Sequence, residues 1–115
     1  MVFLDIGRSG LALAFAGSMT PPNVIEIGEG SGLDTVTDID LESSVLNRPF
    51  SSRNIATPRF VTFIADFGVS TMSGTNLAEF GVKISGATLF NREGFEPLTF
   101  DGTNEAQIQI TFEIF

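Results

Sequence analysis

The chain of 115 residues contains no cysteine, histidine, tyrosine or tryptophan. Without cysteine and histidine, disulfide bonds, thiol chemistry, the common zinc sites and the usual Ser–His and Cys–His catalytic pairs are excluded. The 12 phenylalanines are its only aromatic residues, and they carry no polar atom that a buried position must satisfy. This composition suits a packed core, and it is poorly suited to a sugar site that stacks a ring on Trp or Tyr.

Positive charge is also scarce, since five Arg and one Lys stand against 14 acids, for a formal net charge of −8. Binding to nucleic acid or to an anionic membrane draws on clustered Lys and Arg, so neither partner is predicted. The apolar run at residues 11–16 is too short to span a membrane and follows no basic stretch. We interpret it as part of a short buried helix in a soluble, unexported protein. The arginines are scattered at Arg8, Arg48, Arg53, Arg59 and Arg92.

The length and the 43% hydrophobic content predict one domain over residues 1–115 with its own core. Ala and Leu favour a helix at about residues 8–16, which Gly17 ends. Strands are predicted at 24–27 and then mainly across 59–115, where apolar residues alternate with polar ones. The alternation is clearest at the end of the chain, in Ile108, Ile110, Phe112 and Ile114. In earlier strands it places on one face Val61, Phe63, Ala65 and Phe67, and then Ala78, Phe80, Val82 and Ile84. The predicted fold is mainly β, an antiparallel β-sandwich of jelly-roll or Ig-like type with a short N-terminal helix.

Between these elements the sequence predicts connections. Residues 47–57 are polar and interpreted as irregular, and 69–76 as a small-residue connection. Residues 91–94 (NREG) are predicted to be a hairpin turn that Gly94 closes, and 101–104 (DGTN) another turn. Residues 38–43 are predicted to form a single helical turn with Asp38 as its N-cap.

Lys83 is the one lysine available to a Ser–Lys catalytic pair. It lies with Glu79 on the polar side of a predicted strand, so we interpret it as a solvated charge. The Gly-rich segment at 28–32 lacks the lysine and the long following helix of a phosphate-binding loop, and is interpreted as a flexible turn. Acid pairs for glycosidase chemistry are numerous but lie on turns and polar strand faces. No residue is therefore assigned a catalytic or cofactor-binding role, and no enzyme activity is predicted.

Three acids could hold a hard cation such as calcium, because carboxylate oxygens are its preferred ligands. They are Asp34, Asp38 and Asp40. Their spacing does not follow the EF-hand pattern, which needs Gly at the sixth loop position and Glu at the twelfth. Capping of a helical turn by Asp38 is the simpler explanation. No metal site is predicted, and whether these acids bind a cation stays open.

Short motifs occur along the chain in a recognisable order. An Ala/Leu-rich opening helix precedes a Pro-containing turn and a strand that ends in a Gly-rich loop. The motifs that follow the helix are VIEIGEGSG (24–32), DIDLE (38–42) with Arg48 shortly after, FVTFIADF (60–67), EFGV (79–82), ATLFNREGF (87–95) and QIQITFEIF (107–115). This order resembles that of the small tail-fibre-like or appendage structural proteins of tailed bacteriophages. Two features depart from it: the Gly-rich loop is more acidic, and a Pro-flanked stretch at 47–58 is extra.

The resemblance implies a structural virion protein, assembled in the bacterial host cytoplasm, with no catalytic residues to carry over. Its partners would be copies of itself and other virion proteins, in a tail, a fibre or adaptor, or a capsid decoration. Apolar side chains on the less regular faces, such as Phe60, Ile64 and Phe115, are expected to be covered by neighbouring subunits. The alternative is a non-catalytic β-sandwich module that binds a saccharide or another ligand.

Overall fold

The computed structural model describes residues 2–17, 21–30, 35, 37–57, 60–84 and 88–113. Of the residues singled out above, Asp34, Arg59, Ile114 and Phe115 lie outside this part of the chain. The helices within it are α1 (Asp5–Phe15) and α2 (Val69–Met72). The strands are β1 (Val2–Phe3), β2 (Val24–Gly28), β3 (Ser44–Pro49), β4 (Ser52–Thr57), β5 (Phe60–Phe67), β6 (Asn76–Lys83), β7 (Asn91–Thr99) and β8 (Ala106–Glu113).

The described strands form two antiparallel sheets. The larger has the order β1-β7-β6-β2-β3 and the smaller the order β4-β5-β8. Together with the N-terminal helix they confirm the predicted mainly β fold, an antiparallel β-sandwich.

The main core lies between the inner faces of the two sheets. In β5 and β8 the inward residues are those that the alternation predicted, with Phe63 opposite Ile110 and Ala65 opposite Ile108. The Phe63 ring meets the ring of Phe112 edge-on, with ring centroids 5.9 Å apart, a favoured arrangement for aromatic pairs. The β5 and β8 side chains thus join those of the larger sheet in one cluster.

The outer face of the five-stranded sheet is covered as well, by α1 and the segment that leads into β3. The backbone N–H of Leu4 donates to the Phe90 carbonyl at 2.9 Å, and Leu4, Leu41 and Leu89 form a second buried cluster. Because both faces of the sheet are covered, all five residues of β2 are buried. A strand buried on one face only would alternate between buried and exposed positions.

Three local predictions are wrong. Residues 47–57, predicted as irregular, contribute to the edge strands β3 and β4. Residues 91–94, predicted as a turn, begin β7. The chain reverses earlier, where the N–H of Ile84 donates to the carbonyl of Thr88 at 2.9 Å. Residues 38–43 form no helical turn. In β3 most side chains are exposed, so no burial pattern in the sequence marks it as a strand.

Helix α1 differs from its prediction at one end. It begins at Asp5 rather than near residue 8 and ends at Phe15. Gly7 is poor in helix propensity, yet it fits here because a Cβ at this position would overlap the backbone of Phe90. The prediction of a buried helix is also wrong for its second half, since Leu11, Leu13 and Phe15 are exposed.

Two of the predicted connections can be compared directly. The turn at residues 101–104 is confirmed, because Asp101 Oδ1 accepts hydrogen bonds from the N–H and the hydroxyl of Thr103. The connection at 69–76 contains the four-residue helix α2, whose Met72 is buried in the main core.

Candidate functional site

Charged side chains collect on the outer face of the five-stranded sheet, beneath and around residues 38–43. The strands β2, β6 and β7 contribute two acids and two cations. Residues 38–43, which we call the covering segment, contribute three acids. We call these seven residues the ion layer: Glu26, Asp38, Asp40, Glu42, Glu79, Lys83 and Arg92.

Glu79 is the centre of the ion layer and is fully buried. Its Oε1 accepts hydrogen bonds from the N–H of Glu42 at 2.7 Å and from Arg92 Nε at 3.0 Å. Its Oε2 accepts from the N–H of Gly30 at 2.8 Å and of Ser43 at 2.7 Å. A buried carboxylate is tolerated only when it is paired and hydrogen-bonded, and each oxygen here has two donors. Glu79 thereby ties the covering segment to the sheet.

The glycines of the Gly-rich segment have a steric role beside Glu79. A Cβ on Gly28 would lie 2.6 Å from Glu79 Oε2, and a Cβ on Gly30 would overlap the same oxygen. Atoms of Ser43 and Glu42 lie as close to these two positions as the carboxylate does, so the covering segment and the buried carboxylate together require glycine here. The interpretation of residues 28–32 as merely a flexible turn is therefore wrong for the described residues 28–30.

Arg92 is the cation that neutralises Glu79, and its side chain is only 3% exposed. Its Nη1 also lies 3.2 Å from Asp38 Oδ2, and its Nη2 lies 3.7 Å from Glu42 Oε2. The planar guanidinium suits such multiple pairing. Hydrogen bonds from the N–H and hydroxyl of Thr35 and from Arg92 lower the pKa of Asp38 below its ordinary value, the backbone bond having the largest effect. Asp38 thus binds Arg92 and Thr35 instead of capping a helix.

Lys83 is buried, which overturns its interpretation as a solvated charge. Its Nζ lies 3.1 Å from Glu26 Oε2 and 3.2 Å from Asp40 Oδ1. Burial by itself lowers the pKa of Lys83, but the bonds to these two carboxylates outweigh burial and raise it. Burial also raises the pKa of Glu26. For Asp40, burial is outweighed by the hydrogen bond from the Leu41 N–H and by its neighbours, so its pKa is lowered.

Two of the three acids considered as calcium ligands form ion pairs with different cations of the chain. Asp38 pairs with Arg92 and Asp40 with Lys83, while Asp34 lies outside the described residues. Within the described ranges, no group of three or more acids is arranged to hold a metal ion.

The sequence predicted a polar strand face for Glu79 and Lys83 of the ion layer, but it also predicted that this face is solvated. Alternation correctly assigned Glu79 and Lys83 to one strand face and Phe80 and Val82 to the other. What alternation does not reveal is that a second layer covers the polar face. The Asn91 side chain, next to Arg92 in the strand, is also buried: its Oδ1 accepts from the Val82 N–H at 2.8 Å, and its Nδ2 has no partner among the described residues.

The exposed surface carries apolar groups at two places that bear on function. On α1, the side chains of Leu11 and Phe15 flank a depression of about 450 Å³ together with Arg8 and Ala12. We call these four residues the helix patch. Phe60 and Ile64, expected to be exposed, are half-buried. The second place is a groove beside β8, described below.

No protein-family model, curated protein or solved structure gives a significant match to this chain. In the described part of the chain, no helix has the length and apolar character needed to cross a membrane.

The alkaline stability of the protein should report on Lys83 alone. The chain has no Tyr, Cys or His and only one Lys, so no other side chain titrates between pH 9 and about 12. Folding raises the pKa of Lys83 above its ordinary value of 10.5. The contribution of Lys83 to the free energy of unfolding is therefore complete below pH 10.5 and is lost as the pH rises through its pKa in the folded protein. The free energy of unfolding should therefore fall above pH 10.5, by up to about 1.4 kcal/mol per pH unit.

Lys83→Arg is the matched variant, because arginine keeps its charge to above about pH 12. Urea denaturation followed by ellipticity across this range should show a decline in the wild type and a flat curve in the variant. Equal declines in both proteins would contradict the assignment.

Proposed function

We propose that this chain is a structural subunit of a tailed-bacteriophage virion that assembles in multiple copies and performs no catalysis. The observation that carries the proposal is the helix patch. Phe15 is 96% exposed and Leu11 is 42% exposed on consecutive turns of α1. Covering such side chains stabilises an assembly by about 1.5–3 kcal/mol for each one fully buried, and exposed apolar groups that form a contiguous patch are typical of contact surfaces.

The ion layer supports the non-catalytic part of this proposal. Its two cations and the acids they bind are engaged with one another, and the most buried member, Glu79, has all four hydrogen bonds directed to the chain itself. A catalytic acid or base must instead reach a substrate proton. The motif order resembling phage appendage proteins supports the virion part, with a place in a tail, a fibre or adaptor, or a capsid decoration.

The proposal predicts that the purified protein has a native mass above the 12.3 kDa of one chain, as measured by light scattering at increasing concentration. Phe15→Ser should lower this mass while leaving the ellipticity of the subunit unchanged, because the ring is 96% exposed and makes little contact within the subunit. Leu98→Ser is the control, since Leu98 is 55% exposed but lies on β7 rather than on the helix patch.

A monomer at every concentration would contradict self-assembly. The virion assignment is checked separately by mass spectrometry of phage particles purified from the lysed host. The chain should be present there in several copies per particle, and its absence from the particles would contradict the assignment.

A further inference from the structure

The smaller sheet ends in a strand edge without the usual protection against pairing. β8 pairs with β5 over eight consecutive residues without a bulge, and its other side is an edge of the described sheet. Natural edge strands are shielded by Pro, by Lys, by bulges or by being short. β8 has none of these, because its sequence AQIQITFE contains no Pro, Gly, Lys or Arg. Such an edge is a template for a further strand.

The space for a further strand lies directly beside this edge. Gln109 and Thr111 border a groove of about 530 Å³, whose other walls include Phe80 and Phe95. These two rings belong to β6 and β7 of the larger sheet and pack against each other with centroids 5.6 Å apart. A strand added to β8 would direct every second side chain onto this apolar floor.

The opposite edge of the same sheet, β4, has the chemistry to fill the groove. Arg53 and Ile55 lie opposite Phe63 and Val61 of β5, so they point to the inner side of the sheet. Ile55 is nevertheless 70% exposed, and Arg53 is exposed with no ion pair to another described residue. An apolar and a cationic side chain therefore stand uncovered on the inner side of β4.

The chain segments that contain these two edge strands carry opposite charge. Residues 44–59, which include β4, contain three arginines and no acid, whereas residues 93–115, which include β8, contain five acids and no cation. Opposite potentials favour the contact of one edge with the other. Pairing β8 with β8 of a second copy would instead bring the two acidic segments together, which like-charge repulsion disfavours.

We propose that copies of this chain associate head to tail, with the β4 edge of one copy adding to the β8 edge of the next. β4 and β8 are both antiparallel to β5, so the added β4 runs parallel to β8 and keeps its inner side facing the groove. Ile55 then covers Phe80 and Phe95, and Arg53 approaches Glu93, which also lines the groove. Such a heterologous contact builds a ring or a filament. This inference rests on the proposed function and adds a second contact surface to the helix patch.

The test is a charge swap across the proposed contact, measured as the association constant from light scattering at low and high ionic strength. Glu93 lines the same groove, so Glu93→Lys and Arg53→Glu should each weaken association about tenfold or more. The double variant should restore it, since the opposite charges face each other again. Wild-type association should weaken with salt, which screens exposed charges. Ser70→Lys on α2 is the control, because Ser70 is exposed and lies on neither edge.

Rescue in the double variant would support this contact, because two misfolded variants do not restore each other. If the wild type assembles and the single variants assemble equally well, or the double variant is no better than the singles, the contact is wrong while the proposed function stands. A wild type that remains monomeric overturns both.

Discussion

Glu79→Ala is expected to lower the free energy of unfolding by about 3–5 kcal/mol, the usual cost of removing one partner of a buried ion pair. The substitution leaves Arg92 buried without its closest carboxylate. It also leaves the backbone N–H groups of Gly30, Glu42 and Ser43 without their acceptor. Since small domains are stable by only about 5–15 kcal/mol in total, the variant should be close to unfolding at ambient temperature. Urea denaturation at neutral pH measures the loss.

Glu96→Ala is the matched control, because Glu96 is an exposed acid on the neighbouring strand β7. It removes the same charge and should change stability by no more than about 0.5 kcal/mol. The double variant Glu79→Leu with Arg92→Met separates the two roles of Glu79. If only the ion pair matters, replacing both partners by apolar groups should be nearly neutral.

We expect the double variant to remain destabilised, because the three backbone donors still lack an acceptor. Full recovery of stability would contradict the view that Glu79 holds the covering segment in place.

Phe67→Ala is the second substitution with a large expected effect, about 3–5 kcal/mol. The Phe67 side chain is fully buried in the main core with Met72 and Ile108. Removing the ring loses its transfer free energy and leaves a cavity that a close-packed interior fills only in part. The melting temperature and the urea midpoint should both fall.

Phe15→Ala is the control for this substitution, since it is the same chemical change at a ring that is 96% exposed. Its stability as a monomer should be nearly unchanged. Similar losses in the two variants would show that Phe15 is covered within the folded subunit or that Phe67 is not central to its core.

The core between the two sheets was predictable because of side-chain periodicity. Strands place successive side chains on opposite faces, so the alternation of Phe63, Ala65 and Phe67, and of Ile108, Ile110 and Phe112, identified the inward faces before any contact was known. The edge strands β3 and β4 were missed because they carry little buried surface. Their strand conformation comes from pairing with β2 and β5, and pairing leaves no pattern in the sequence of an exposed edge.

The candidate site was less predictable, since its contacts join distant parts of the chain. Glu79 binds the backbone of residues 30, 42 and 43, which precede it by 49, 37 and 36 positions. Residues 91–94 resemble a turn in composition, yet Arg92 is drawn into β7 by its pairing with Glu79. A polar residue on a strand is expected to face water unless something covers it, and the covering segment is identified only by folding.

By itself, then, the sequence determined the mainly β class, the inward faces of β5 and β8, and the exclusion of disulfide, thiol and imidazole chemistry. The tertiary structure alone decided that Glu79, Lys83 and Arg92 are buried. It also decided which apolar residues are left exposed to solvent. The physical reason is that alternation along a strand is a local property of the backbone. What lies over each face depends on where distant segments pack.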